Sequence, residues 1–222
     1  MTAAPTWSIL VPTLGERRAL FERLMAGLLP QLDPYAGRVR VLGWYNDGSP
    51  SLPKIRQRLV EAAGTEYVSF VDDDDLVSRD YVAEIVGALD NRPDYVGFQV
   101  QCYSNGVPTG VAYHSLEYET WRNLDGRYER DISHLNPIKT RLALRADFSL
   151  TRVGKPEDRA WADQLRRAKV LQTQVVIGRI LYHYLYSTSR AVGGSRWSAP
   201  RRITRGQRAT VTNPYFTWSA DA

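Results

Sequence analysis

The chain has a single cysteine, Cys102, which excludes an internal disulfide and fits a reducing compartment. It has no apolar run approaching the roughly 20 residues that a helix needs to cross a bilayer. The opening stretch, Met1 to Pro5, lacks a basic segment followed by an apolar one, so no secretory leader is expected. The expected location is therefore the cytoplasm, that of the host if the chain is viral. No internal repeat is visible, and hydrophobic and charged contents of 43% and 24% argue against wholesale disorder or a fibrous fold. At 222 residues the length lies between one and two typical domains. One large domain over residues 1–186, followed by a tail over 187–222, is the expected organisation.

What the chain does have is basic charge. The net charge is +5 and the sequence pI about 9.4, which favours anionic partners such as nucleotide phosphates or nucleic acid. From Ser187 onward come Arg190, Arg196, Arg201, Arg202, Arg205 and Arg208, interleaved with Trp197, Tyr215, Phe216 and Trp218. The segment has no clear periodicity. It reads as a solvated tail, an arm over an active site, or a surface that combines phosphate contacts with base stacking.

Before that tail, strand-like apolar runs alternate with amphipathic helical ones. Trp7 to Val11 predicts a buried strand stopped by Pro12, and Arg18 to Leu29 a helix with Leu20, Phe21, Leu24, Met25 and Leu28 inward. Val39 to Tyr45 predicts a second strand, running into the turn residues Asn46-Asp47-Gly48-Ser49-Pro50. Pro53 to Ala63 reads as a helix, Tyr67 to Val71 as a strand, Arg79 to Leu89 as a helix and Tyr95 to Tyr103 as a strand. Right-handed crossovers then give an α/β fold with a mostly parallel sheet flanked by helices, and Thr13, Asp47 and Asp72 share one sheet edge.

At the end of the third strand stand four consecutive carboxylates, Asp72, Asp73, Asp74 and Asp75. Two unit charges about 4 Å apart repel by roughly 1 kcal/mol even in bulk water. A bound divalent cation relieves that repulsion, and Mg²⁺ or Mn²⁺ is commonly held between one or two carboxylates and the phosphates of a substrate. Strand ends facing a crevice are also where open α/β sheets bind ligands. A solvated acidic loop is the competing reading.

The second half is less regular. His134-Leu135-Asn136-Pro137 reads as a turn before a short helix from Ile138 to Leu144. Lys155-Pro156-Glu157-Asp158 precedes a helix with Trp161, Leu165 and Ala168 inward, where Glu157 and Asp158 have a sufficient structural explanation as N-terminal acids. Gln174 to Ile177 and Ile180 to Tyr186 read as two strands, with His183 between aromatic residues in the second.

In order and spacing, Val11-Pro12-Thr13 with Arg17, Tyr45-Asn46-Asp47-Gly48-Ser49, Tyr67 to Asp75 and Glu157-Asp158 resemble the nucleotide-sugar-dependent glycosyltransferases of family 2. The resemblance covers Trp7 to Tyr186 and implies the GT-A, Rossmann-like fold. It further implies that Pro12, Thr13, Arg17, Asn46, Asp47, Asp72 and Asp73 surround the nucleotide of a nucleotide-sugar donor. Asp74 and Asp72, joined by the late His183, would hold Mn²⁺ or Mg²⁺. Asp158 would be the general base and Glu157 its partner in an inverting transfer. Where the family usually has two acids before Gly-Ser, this chain has Asn46-Asp47, and an amide oxygen still accepts from uracil N3–H, so a UDP-sugar donor remains compatible.

The acceptor is less defined. By position alone His134, Asn136, Lys139 and Trp161 are candidate lining groups. The arginine-rich tail suggests a hydroxymethylated base in DNA, and a surface polysaccharide, lipid or protein hydroxyl fits equally. Two readings lie outside this class. A haloacid-dehalogenase-type phosphatase also places Asp-x-Asp after an apolar strand, but at the first strand and followed by Gly-Thr, whereas Asp74 here precedes Asp75-Leu76. A non-catalytic nucleic-acid-binding module would rest on the tail alone and leave the aspartates unexplained.

Overall fold

The structure, a computed structural model, describes residues 3–46, 50–150, 156–187 and 216–219. Strand β1 (Trp7–Leu14) is central, with β2 (Val39–Asn46) parallel on one side and β3 (Tyr67–Phe70) parallel on the other. Helix α1 (Arg18–Leu28) connects β1 to β2, and α2 (Leu52–Ala62) lies between β2 and β3. The chain therefore leaves β1 toward one side of the sheet and returns on the other, which opens a crevice beyond the ends of β1 and β3.

β1 continues through Pro12 rather than stopping there. Val71 N–H donates to Leu10 C=O, so the polar groups of Leu10 face β3, and those of Pro12, two residues on, face the same side. Pairing with β3 ends at Leu10, whereas pairing with β2 runs to Leu14. The N–H that Pro12 lacks would thus point where no neighbouring strand needs it.

Beyond β3 comes β4 (Leu76–Val77), α3 (Tyr81–Leu89) and the long β5 (Tyr95–Ser104). A hairpin leads to β6 (Val107–His114), and a second hairpin joins β7 (Arg122–Leu124) to β8 (Arg127–Arg130). Asn105 (φ 50) and Gly106 (φ 81) make the first turn, the left-handed pair that a two-residue hairpin requires. The predicted helix from Ile138 begins two residues late. Ile138–Lys139 instead forms β9, wedged antiparallel between β3 and β5, and α4 is Thr140–Ala143. Ile138 is drawn into the sheet because it pairs with both Val68 and Tyr95 and is fully enclosed there.

Helix α5 (Glu157–Ala168) leads to β10 (Gln174–Tyr186), one strand where two were expected, with irregular register against β5 between Val176 and Tyr182. The remaining described segment, Phe216–Ser219, forms β11 on the sheet edge, parallel to β2. It lies in the stretch expected as a tail, and most of that stretch falls outside the described residues. The 11-stranded sheet runs β11-β2-β1-β3-β9-β5-β6-β8-β7, with β10 added beside β5 and β4.

Two apolar layers cover the sheet. One packs α1 and α3 residues (Leu24, Leu28, Ile85, Leu89) against Trp7, Ile9, Val96 and Phe98. The other packs α2, α4 and α5 residues (Ile55, Leu59, Leu142, Trp161, Leu165) against Leu10, Val68, Phe70 and Tyr95. Among the described residues no helix is long and apolar enough to cross a membrane.

Candidate active site

The four aspartates form a turn in which Asp75 N–H donates to Asp72 C=O at 3.1 Å, and their side chains separate into two kinds. Asp73 and Asp75 are each only 1% exposed, whereas the Asp72 and Asp74 side chains are each 26% exposed and face the crevice edge. Asp73 accepts from Thr13 Oγ1 at 2.6 Å and lies 3.1 Å from Arg17 Nη2. Burial pushes its carboxyl up to about 6 even against the Arg17 charge and the Thr13 hydrogen bond.

Asp75 is held from β10: Tyr182 O–H donates to Oδ2 at 2.8 Å and Leu185 N–H to Oδ1 at 2.7 Å. Burial and the charges of Asp72 and Asp74 raise its carboxyl well above the usual carboxylate range. The Tyr182 oxygen also accepts from Asp72 N–H at 3.1 Å. One buried tyrosine thus fixes both ends of the aspartate turn.

The two exposed carboxylates have arginine partners. Arg17, from the turn after β1, bridges Asp73 and Asp74, while Arg23 of α1 donates to the Asp74 carbonyl at 2.6 Å. Arg56 of α2, 4% exposed, donates to Asp72 Oδ1 at 2.9 Å and places Nε 3.5 Å from Glu157 Oε1. Burial alone would raise Asp72, but the Arg56 guanidinium, helped by His134 and Arg17, holds it well below the usual carboxylate range. Burial alone would lower Arg56, and the charges of Asp72, Glu157 and Asp158 more than compensate.

His134 completes the cluster. Its backbone C=O accepts from Phe70 N–H at 2.9 Å, which pins the loop to the end of β3. The buried ring sets Nε2 3.6 Å from Asp72 Oδ2 and Nδ1 3.6 Å from Asp158 Oδ2. Asp158 Oδ1 accepts from Arg159 N–H at 2.7 Å in the first turn of α5, which leaves Oδ2 for the histidine. The floor is aromatic: Arg56 lies 5.2 Å from the Phe70 ring centroid, and Phe70 packs on Phe148, which stacks on Trp161 at 4.6 Å.

Of the residues singled out from sequence, Thr13, Arg17, Asp72, Asp73, Asp74, His134, Glu157 and Asp158 come together around this crevice, with Pro12 buried in β1 beside Thr13. Asn46 ends β2 next to Leu14 in register, and Asp47 lies outside the described residues. The other acceptor candidates have structural partners elsewhere. Asn136 donates to Val96 C=O and accepts from His114, Lys139 pairs with Asp94 at 3.0 Å, and Trp161 is a core residue donating to Ala143 C=O.

His183 follows Tyr182 on β10 and so points to the opposite face of the strand. Its ring lies 6.1 Å from Tyr103, and burial lowers its pKa. Among the described residues no group of three or more His, Cys, Asp and Glu side chains is arranged to hold a metal ion. Asp72 and Asp74 are nevertheless hard oxygen donors at the crevice edge, and one or two such carboxylates suffice when a diphosphate supplies further ligands. The fit is therefore to a cation held by two aspartates, without His183.

Arg56 and Tyr182 are the site residues that the sequence reading missed. Arg56 stands three and four residues before Leu59 and Val60 on the inward face of α2, a charge on an apolar stripe. Tyr182 begins the alternation Tyr182, Tyr184, Tyr186, which puts all three on one strand face.

Residues 52–148 match the family model described as Glycosyl transferase family 2. No curated protein sequence matches the chain. Among solved structures the chain resembles S. aureus TarS 1-349 (16% identity, TM-score 0.57), covering 81% of this chain and 60% of that one. It also resembles the same protein in complex with UDP-GlcNAc (15% identity, TM-score 0.59; 81% and 58% covered) and with UDP (18%, 0.56; 85% and 62%). The chain thus spans about 60% of the length of these structures. Its sheet and flanking helices define a GT-A fold, and the stretch from the start of α2 to just beyond α4 is similar to the family 2 glycosyl transferases.

Proposed function

We propose that this protein is an inverting glycosyltransferase that moves a sugar from a nucleotide-sugar donor, a UDP-sugar, to an acceptor hydroxyl. One observation carries the reading. Asp72, at the strand end where a donor diphosphate would approach, and Asp158, at the start of α5, lie against opposite nitrogens of one buried imidazole. A donor-side carboxylate and a candidate base thereby flank a single reaction space. The UDP-GlcNAc and UDP complexes of the structurally similar TarS support uridine as the base.

In this reading residues 1–186 form the catalytic domain, and Pro12, Thr13, Arg17, Asn46, Asp47, Asp72 and Asp73 line the nucleotide site. Arg17 and Arg56 supply fixed positive charge beside the leaving diphosphate. Mn²⁺ or Mg²⁺, held by Asp74 and Asp72, would supply further charge stabilisation there. Asp158 removes the acceptor proton as the oxygen forms its bond to the anomeric carbon. The bond from that carbon to the diphosphate breaks on the opposite face, so the configuration inverts. Glu157, paired with Arg56, borders the acceptor side.

The test is transfer of radiolabelled GlcNAc from UDP-GlcNAc, with UDP-glucose in parallel, to hydroxymethylated duplex DNA, cell-surface polysaccharide, lipid and protein fractions. Label in one fraction with inverted linkage is the expected result and identifies the acceptor. Phosphate release from simple esters without sugar transfer would replace this reading with that of a phosphatase.

A further inference from the structure

Resting on the transferase reading above, we propose that His134 is a positioning residue that ties the donor-side carboxylate Asp72 to the base Asp158, rather than a group that touches the acceptor. The ring is 7% exposed, and among the described residues neither nitrogen has a hydrogen-bond partner, each facing a carboxylate oxygen at 3.6 Å. A buried polar atom without a partner typically costs about 1–3 kcal/mol. Two on one ring, aimed at two carboxylates from distant segments, point to contacts that close when the site fills. Hydrogen bonds of catalytic groups are commonly long before substrate arrives and tighten in the complex.

The surroundings leave the ring little freedom. Phe70 holds the His134 backbone, and its ring centroid stands 5.8 Å from the imidazole. Ser133 Oγ accepts from Leu135 N–H, and Asn136 anchors the following turn to Val96. Asp72 is in turn fixed on its other oxygen by Arg56, which also approaches Glu157. The imidazole stands between the two carboxylates with one nitrogen toward each and so spaces them. Any movement of Asp72 as the diphosphate seats is then passed to Oδ2 of Asp158, and the base is aimed once the donor is bound. The solvent-accessible faces of this arrangement belong to the carboxylates, so an acceptor meets Asp158 and not the ring.

The experiment compares His134→Gln and His134→Phe in the full chain, alone and combined with Asp158→Asn, by calorimetric UDP affinity and by kcat and KM for UDP-GlcNAc turnover. A positioning role predicts that His134→Phe lowers kcat about 100-fold, the scale expected for a misplaced catalytic group, with little change in UDP affinity. His134→Gln, which keeps a donor and an acceptor, should recover part of the loss and carries the test if the Phe variant fails to fold. Adding either substitution to Asp158→Asn should lower the residual rate little further, because residues that act as a unit are non-additive. Additive losses, or a loss confined to KM for UDP-GlcNAc, would overturn the proposal, as would an unchanged kcat. Failure of the unaltered protein to bind UDP or turn over any sugar nucleotide would instead overturn the transferase reading, and the role of His134 with it.

Discussion

The aspartate turn after β3 and the cluster around His134 use the same kinds of charge but are assembled in opposite ways. The turn is contiguous in sequence, and local geometry divides it into two buried carboxylates and two exposed ones. The cluster brings Arg56, His134, Glu157 and Asp158 together from α2, a loop and α5 over an aromatic floor. The first region is poised by hydrogen bonds from β1 and β10, the second by packing against Phe70, Phe148 and Trp161. In the proposed reading the donor site is encoded by a short motif, while the chemistry opposite it depends on long-range contacts. Damage to the turn should appear as lost donor binding, and damage to the cluster as lost turnover.

The sharpest separation comes from Asp158→Asn, which should reduce kcat by about 10² to 10⁴-fold, the usual contribution of a general base, while calorimetry finds UDP affinity nearly unchanged. A parallel loss of UDP binding would merge the two regions. Next in size is Arg56→Leu. Removing a buried cation leaves Asp72 and Glu157 without their shared counter-charge, and breaking such a pair typically costs about 3–5 kcal/mol. Urea unfolding should register most of that range, less what water near the partly exposed Asp72 restores. A loss under about 1 kcal/mol, the range of surface ion pairs, would mean that the cluster does not depend on its arginine.

Acid stability tests the supporting shell. Burial lowers His114 to about 4, and its Nδ1–H is assigned as the donor because Asn136 spends its own amide on Val96 and offers only its oxygen. Between pH 6.5 and about 4 the unfolded chain takes up a proton that the folded state refuses. Stability from this group is therefore complete above pH 6.5 and falls as pH drops through that window. At 1.36 kcal/mol per unit the loss reaches about 3 kcal/mol, and His114→Gln should flatten it in denaturant titrations at stepped pH. The smallest effect is that of Tyr182→Phe, which removes the hydroxyl between Asp72 N–H and Asp75. Leaving those groups unpaired should cost about 1–3 kcal/mol and weaken UDP binding before it alters kcat; the reverse order would place Tyr182 with the second region.

Much of the first region was legible in the sequence because it is local. Apolar runs ending in Pro-Thr and in the aspartates mark β1 and β3, and the alternation of elements gives the parallel sheet. Pro12 misled because a proline breaks a strand only where its N–H is needed, and that depends on where β3 stops pairing. Ile138 misled for a similar reason: its place in the sheet is set by Val68 and Tyr95, far away in sequence. The hairpins after β5 had a usable signal in Asn105-Gly106 and Asp125-Gly126, dipeptides suited to tight turns. Glu157 and Asp158 could be found by resemblance, but not that a histidine would stand between Asp158 and Asp72, because no spacing along the chain encodes that meeting. His183 shows the limit from the other side, since a position late in the chain says nothing about which face of β10 the ring takes.

The most direct test of the account is calorimetric titration of the purified protein with UDP, in Mn²⁺ and in EDTA, against GDP and dTDP and against the Asp74→Ala variant. The account predicts tight binding of UDP alone, weakened by EDTA and by Asp74→Ala alike. Absence of binding by any nucleotide, or UDP binding indifferent to both metal and Asp74, would contradict it.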